Sequence, residues 1–447
     1  MKSQSSILSG LKKDARSIFH AGLEAVEPET AIYRSCKREA DNLFIGDKTY
    51  DLSKYENIYL IGAGKAASPM AFAMETLLDD RLTSGVAVVK YGHFSKSNRI
   101  KIIEAGHPVP DENGAKGAES IMQIAIQAGE NDLVICLISG GGSALLPFPA
   151  PGITLEDKQE TIKILLSCGA AINEINSIRK HISGIKGGRL AQTAYPASFV
   201  SLLLSDVVGD DLDVIASGPS VPDSSTYQDC MDIITRYGMI KKLPDSILRH
   251  LQNGLAGLVP ETPKPQDPVF SKTGNLIIGS NMDAICSAKI KAQNLGYNTL
   301  ILSSMIQGET REVAKVHAAI AKEIRKTGQP LSPPACILSG GETTVTLSGN
   351  GKGGRNQEFA LAAAIDIDGH ENIVIFSAGT DGTDGPTDAA GALADSTTIK
   401  RASGKRLHAF EYLSNNDAYH FFHAINDLII TGPTLTNVMD LRIILVG

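Results

Sequence analysis

Residues 373–392 read Ile-Val-Ile-Phe-Ser-Ala-Gly-Thr-Asp-Gly-Thr-Asp-Gly-Pro-Thr-Asp-Ala-Ala-Gly-Ala. The apolar run Ile373–Phe376 has the length and composition of a buried strand. Four glycines (Gly379, Gly382, Gly385, Gly391), three aspartates (Asp381, Asp384, Asp388) and three threonines follow it. So polar a stretch offers little to a core, while its carboxylates supply oxygen ligands and hydrogen-bond acceptors. Such a loop at a strand end suits magnesium, a polyhydroxylated substrate or a phosphate. Read plainly, it is a surface loop of Asx-turns.

The same unit recurs along the chain. Asn57–Ile61 leads into Gly62-Ala63-Gly64-Lys65-Ala66-Ala67, and Leu133–Ile138 into Ser139-Gly140-Gly141-Gly142-Ser143. Phe199–Leu204 leads into Ser205-Asp206, Leu276–Ile278 into Gly279-Ser280-Asn281, and Ala335–Leu338 into Ser339-Gly340-Gly341-Glu342-Thr343. Gly351–Glu358, which contains Arg355 and Asn356, opens another helix. Strand, small polar loop, helix is the grammar of α/β folds with mainly parallel sheets, whose loops emerge on one edge.

A chain of 447 residues exceeds one core and implies two or three domains. The stretch 258–274 holds four prolines and little periodicity, so it reads as the interdomain connection. That places a Rossmann-like domain with N-terminal helices at 1–260 and a second α/β domain at 261–447. Residues 5–45 read as helical, 343–347 as a strand by alternation, and the segment from Asp388 as a helix.

Net charge is −7, so no basic footprint for nucleic acid is present. An acidic protein that handles an anion must gather its cations locally, which singles out lysines and arginines in Gly-rich loops. The most basic segment, Ile178–Arg189, reads plainly as a solvated helix face. The six cysteines lie too far apart for a CxxC motif and argue against a disulfide scaffold. No apolar run reaches transmembrane length, and the first residues lack a signal-peptide core. The expectation is a cytoplasmic protein with no membrane and no nucleic-acid partner, as a monomer or homodimer.

Gly62–Ala67 fits the loose G-x-G-x-x-A pattern of dinucleotide folds. The next strand, however, ends at Lys90, where an NAD site wants an acid for the ribose. What remains is a helix N-terminus carrying Lys65, an anion site. Gly140–Gly142 expose backbone N–H groups as a nest. Ser143 lacks the G-x-S-x-G setting of a nucleophile. Asp206 stands where α/β folds place catalytic groups. His107, before a proline, is as well read as structural as functional.

Taken together, GAGKA, SGGGSAL, IRKHISGIKGGRLA, LSDVVGDDLDVIASGP, SGGETTV, GGRNQEFALA, GTDGTDGPTDAAGA and TGPTLTN-DLRIILV resemble the class II glycerate kinases, the glycerate 2-kinases of the MOFRL family. The likeness covers nearly the whole chain in order. It implies a Rossmann-like N-terminal domain, a smaller C-terminal α/β domain and an active site in the interdomain cleft. It implies phosphoryl transfer from ATP to the 2-hydroxyl of D-glycerate with a divalent cation, Mg2+. Lys65 and Arg355 match the cationic residues proposed to be essential. On this reading Gly64, Ser139, Gly140, Gly141, Gly142, Ser143, Asn281, Gly340, Gly341, Glu342 and Asn356 contact substrate or nucleotide. Asp206, Asp381 and Asp384 compete for two roles, magnesium ligand and acceptor of the hydroxyl proton. Asp206 is the catalytic candidate, and Asp381 and Asp384 are the metal candidates. Some relatives carry reductase names, so an NAD(P)H-dependent hydroxypyruvate reductase is the alternative. The family's last loop reads TGPTGTNVNDL, whereas here Leu435 replaces Gly and Met439 replaces Asn.

Overall fold

The computed structural model describes residues 4–94 and 97–447, with side chains from Ser6 onward. Met1–Ser3, part of the stretch read for a signal peptide, lie outside the described residues. The chain divides into two compact units, Pro28–Ile278 and Met1–Glu27 together with Gly279–Gly447.

In the first unit a short antiparallel sheet joins β1 (Cys36–Glu39), β2 (Asn42–Ile45) and β3 (Lys48–Asp51). This corrects the helical reading of 5–45, in which helices cover only Gln4–Ala25 and Pro28–Ser35. The main sheet contains β4 (Asn57–Ala63), β5 (Ser84–Lys90), β6 (Ile100–Ala105), β7 (Asp132–Ile138), β8 (Ser198–Leu204) and β9 (Thr273–Gly279). Their order is β6-β5-β4-β7-β8-β9. The β4–β5, β5–β6, β4–β7 and β7–β8 pairs are all parallel. This is the strand order of a doubly wound sheet, which reverses direction between β4 and β7. Central strands of such a sheet are covered on both faces and must be apolar throughout. Accordingly every residue of β7 is buried. The helix Glu112–Gln127 begins where the Asp111 side chain accepts the Gly114 N–H, an N-cap that satisfies one unpaired backbone donor.

The proline-rich stretch is not the connection between units. Within the first unit, Arg189 donates to the Pro260 carbonyl at 3.1 Å and the Thr262 hydroxyl to Asp223 at 3.0 Å. Pro263 is buried while Pro260, Pro265 and Pro268 are exposed, and these hydrogen bonds tie the stretch to the unit that β9 completes, so the division falls at Ile278/Gly279 rather than near 260.

The second unit carries β10 (Asn298–Ile306), β11 (Ala335–Gly341), β12 (Ile373–Gly379), β13 (Gly391–Asp395), β14 (Leu428–Ile429) and β15 (Asp440–Val446). They lie in the order β10-β11-β15-β12-β13-β14. β10 pairs parallel with β11, while β15 runs antiparallel to both neighbours. The segment after Asp388 is thus the buried strand β13, not a helix, and 343–347 keeps only the isolated bridge of Thr344 to Glu309. The N-terminal helix belongs to this unit's core. Its Leu8, Leu11, Ile18 and Phe19 pack with Ile285, Ala288, Phe376 and Leu441. The Phe19 and Phe376 rings lie 4.9 Å apart.

Candidate functional site

In the first unit the loops after β4 and β7 meet at the topological switch point, where doubly wound sheets bind ligands. Ser139 N–H donates to the Ala63 carbonyl at 3.1 Å, and Lys65 N–H to the Gly140 carbonyl at 2.9 Å. The Ser139 hydroxyl accepts the Ala66 N–H at 2.9 Å. Gly64 has φ 139°, and a Cβ there would overlap the Ser139 side chain, so only glycine lets these loops approach. Gly141, at φ 84°, lies so close to its neighbours that a Cβ would stand 2.9 Å from the His107 ring and 3.6 Å from Lys65 Cγ. Lys65, His107 and the Ser139–Ser143 loop are therefore one cluster. His93 Nδ1 donates to the Lys65 carbonyl at 3.0 Å. Gly142 begins a one-turn helix, Gly142–Leu145. The Ser143 hydroxyl lies 3.0 Å from that of Ser217, and Lys186 Nζ donates to it at 3.0 Å and to the Ser143 carbonyl at 2.8 Å. Asp206 follows β8 on the same sheet edge.

In the second unit the register sets Gly341 and Gly379 both opposite Asp440. The ends of β11 and β12 and the start of β15 therefore converge. The helix Arg355–Asp366 starts there. Arg355 donates to both carboxylate oxygens of Asp440, from Nε at 2.8 Å and Nη2 at 3.0 Å, and from Nη1 to Glu342 at 2.7 Å. Burial pulls the guanidinium pKa down, but Asp440 and Glu342 more than offset it, so the net shift is upward. Asn356 donates to Asp440 at 2.8 Å, and Arg442 donates to it at 3.0 Å. Arg442 is itself fully buried, over the Phe359 ring.

Asp384 is a helix cap. Its oxygens accept the N–H groups of Asn356 at 3.1 Å and Gln357 at 2.8 Å. Burial, with the Asp440 charge adding to it, pushes this carboxyl up to about 7 against those bonds. Asp381 accepts from the Thr383 N–H and hydroxyl, both at 3.1 Å. Asn281 is buried against Gly340, and its amide donates to the carbonyls of Val438 and Asp440 at 2.7 and 2.8 Å. A concavity of about 300 Å³ opens beside Gly353, Gly354, Arg355, Glu358 and Asp384.

Sequence reading missed Asp440, the acceptor that three side chains share. Its signal is the alternation Asp440-Leu441-Arg442, which sets acid and arginine on one face of a strand. It also misplaced the basic segment. Lys180, His181 and Lys186 are buried rather than solvated, because Lys180 Nζ meets Asp213 at 3.1 Å and Asp223 at 3.2 Å and His181 Nε2 meets Glu261 at 2.7 Å. All six cysteines are free, and among the described residues no helix is long and apolar enough to cross a membrane.

Comparison with known proteins places these features in a family. A family model described as a domain of unknown function, DUF4147, matches residues 14–252, and one described as the MOFRL family matches 335–440. The chain is 42% identical to a D-glycerate 2-kinase of Thermotoga maritima, over 97% of this chain and 98% of that protein. It is 47% identical to an Agrobacterium vitis protein carrying a hydroxypyruvate reductase name, over 87% of this chain and 99% of that one. The crystal structure of a glycerate kinase from Thermotoga maritima superposes with a TM-score of 0.88 at 41% identity, covering 98% of this chain and all of that one. The chain belongs to the class II glycerate kinase family, the glycerate 2-kinases with a MOFRL domain.

Proposed function

We propose that this chain transfers the γ-phosphoryl group of ATP to the 2-hydroxyl of D-glycerate, giving 2-phospho-D-glycerate. The observation that carries the reading is the 42% identity, over 97% of the chain, with the Thermotoga maritima D-glycerate 2-kinase. The local geometry supports it. Phosphoryl transfer asks a protein for positioning and neutralised charge more than for a covalent apparatus. Lys65 beside the Ser139–Ser143 nest offers an ammonium and backbone N–H groups to phosphate oxygens. Arg355, whose Nε and Nη2 hold Asp440 and whose Nη1 holds Glu342, has five N–H donors in all, and the remaining two suit a carboxylate or phosphoryl oxygen. Asp206, two residues beyond the end of the parallel strand β8, is the carboxylate we assign to accept the hydroxyl proton.

The residues fit a magnesium ion that arrives with the nucleotide. Among the described residues no three His, Cys, Asp or Glu side chains form a metal cluster. Mg2+ is, however, commonly held by one or two carboxylates plus substrate phosphates. Asp384 is committed to its helix cap, so Asp381 is the carboxylate we propose for it. When bound, the ion supplies charge neutralisation across the β- and γ-phosphates.

Phosphorus NMR after incubation with ATP, magnesium and D-glycerate tests the proposal. The expected product is 2-phosphoglycerate, absent without ATP or the divalent ion. A spectrum with only 3-phosphoglycerate moves the chain to another kinase class. The reductase name of the Agrobacterium vitis relative sets the second reading. Lys90 ends β5 where a dinucleotide fold places the ribose acid, so NADH and NADPH should survive incubation with hydroxypyruvate. Steady loss of nicotinamide absorbance would make the reductase reading primary.

A further inference from the structure

The basic segment of the first unit folds inward, and only part of its charge is answered. Lys180 has Asp213 and Asp223. Lys158, Arg179 and Lys186 have no carboxylate partner among the described residues. Lys158, on the helix Leu155–Ser167, is 6% exposed, and its Nζ is buried with no hydrogen-bond partner. Lys186 is 2% exposed, and its Nζ meets only the neutral oxygens of Ser143. Arg179 Nη1 reaches the Asn176 side-chain oxygen at 3.4 Å, and the Ser217 hydroxyl reaches that same oxygen at 3.4 Å. Ser217 in turn lies 3.0 Å from Ser143. A continuous polar arc thus runs from Lys186 through Ser143, Ser217 and Asn176 to Arg179, and the charges of Lys158, Arg179 and Lys186 act on one another.

Buried charge is normally paired, because an isolated ion loses its hydration with nothing in return. Among the described residues Lys186 and Arg179 meet only neutral oxygens and Lys158 Nζ meets none, so all three lack such a partner. We propose that Lys158, Arg179 and Lys186, with Ser143, form a pocket for one compact oxyanion, either the carboxylate of the small acid substrate or a phosphate of the nucleotide. The identity of these two sources rests on the kinase reading; the existence of the pocket does not. Its place agrees with that use, since Ser143 closes the loop that carries Gly141 against Lys65. Titration points the same way. Burial first, and Arg179 second, bring Lys158 down to about 7, and burial together with Lys158 and Arg179 brings Lys186 well below its ordinary value. A bound anion relieves both.

Lys158→Met tests the pocket, because it removes the charge and keeps the stem. Affinities for inorganic phosphate, D-glycerate and a non-hydrolysable ATP analogue are measured by calorimetry at fixed ionic strength, beside melting temperature without ligand. The expected result is a variant that melts no lower than the parent and binds phosphate about tenfold or more weakly, as for a lost charged hydrogen bond. A parallel loss for D-glycerate alone identifies the carboxylate, and one for the nucleotide alone identifies the phosphate. Arg179→Gln, at a partly exposed position, repeats the measurement should Lys158→Met fold poorly. Affinities for all three probes within twofold of the parent overturn the proposal. Lys158-dependent phosphate binding in a chain that makes no phosphoglycerate would instead sink the kinase reading and leave the pocket standing.

Discussion

Leu435 and Met439 occupy left-handed backbone, at φ 59° and 69°. They are the two positions where the family's last loop has glycine and asparagine, the residues that tolerate this conformation. The strain persists because the loop is tied on both sides. Thr380 donates its N–H and hydroxyl to the Met439 carbonyl at 2.9 and 2.7 Å and accepts the Val438 N–H at 2.8 Å. Leu435→Gly should relieve about 1–2 kcal/mol of left-handed strain and lose about 0.5–1 kcal/mol to chain entropy. The expected outcome is a slightly higher melting temperature with unchanged kcat. A lower one would mean that the leucine side chain's packing outweighs the backbone. Arg355 carries a larger stake. A lysine cannot serve both Asp440 oxygens and Glu342, so Arg355→Lys should lower kcat by about 10²-fold and also lower the melting temperature. If only the melting temperature moves, with kcat measured well below the transition, the residue is a strut for the buried Asp440.

Among the elements, the helix Thr310–Thr327 contains a titrating core residue. His317 is buried, its Nδ1 donates to the Val313 carbonyl at 2.8 Å, and its Nε2 accepts from the Ser339 hydroxyl at 2.9 Å. Burial pushes this imidazole from 6.5 down to about 4. The folded state then binds fewer protons than the unfolded one between those values. Its contribution is complete above pH 6.5 and is lost as pH falls toward 4, by up to about 3 kcal/mol. Thermal melts of His317→Gln against the parent should converge as pH drops through that window; a constant difference would exclude the histidine as the source. The elements legible in the sequence are those with one strong period. β4, β7, β8, β11, β12 and β15 are apolar runs ended by small residues, and the loops beside them supply the candidates Lys65, the Ser139 nest and Arg355. β1 and β3 were hidden because they are short and polar, made into a sheet by tight turns rather than by burial. β13 was hidden because Gly391-Ala392-Leu393-Ala394 has good helix formers, yet it is enclosed between β12 and β14. Lys158 and Lys186 were illegible because a charged residue reads as solvated until the fold shows otherwise.

At the scale of the whole molecule, the chain enters and leaves one unit by way of the other. The helix Gln4–Ala25 lies in the core of the unit built from Gly279–Gly447. Burying Leu8, Leu11, Ile18 and Phe19 at about 1.5–3 kcal/mol each is comparable with the ~5–15 kcal/mol that holds a domain together. A chain lacking residues 1–27 should therefore aggregate or melt far below the parent. A permutant that starts at Pro28 and returns residues 1–27 behind Gly447 should fold and keep kcat, since the Cβ position of Gly447 is 3.5 Å from Leu11 and 3.7 Å from Ile7. A permutant as unstable as the truncation would show that the native order of connection matters beyond the contacts.

That same helix also sets a clock during synthesis. It is made before the elements that cover it, which come only after the whole of residues 28–278. At about 5–20 residues per second this is a wait on the order of ten to fifty seconds, during which Leu8, Leu11, Ile18 and Phe19 have no native partner. For all of that interval the nascent chain carries the apolar face of this helix without the residues that cover it in the finished unit.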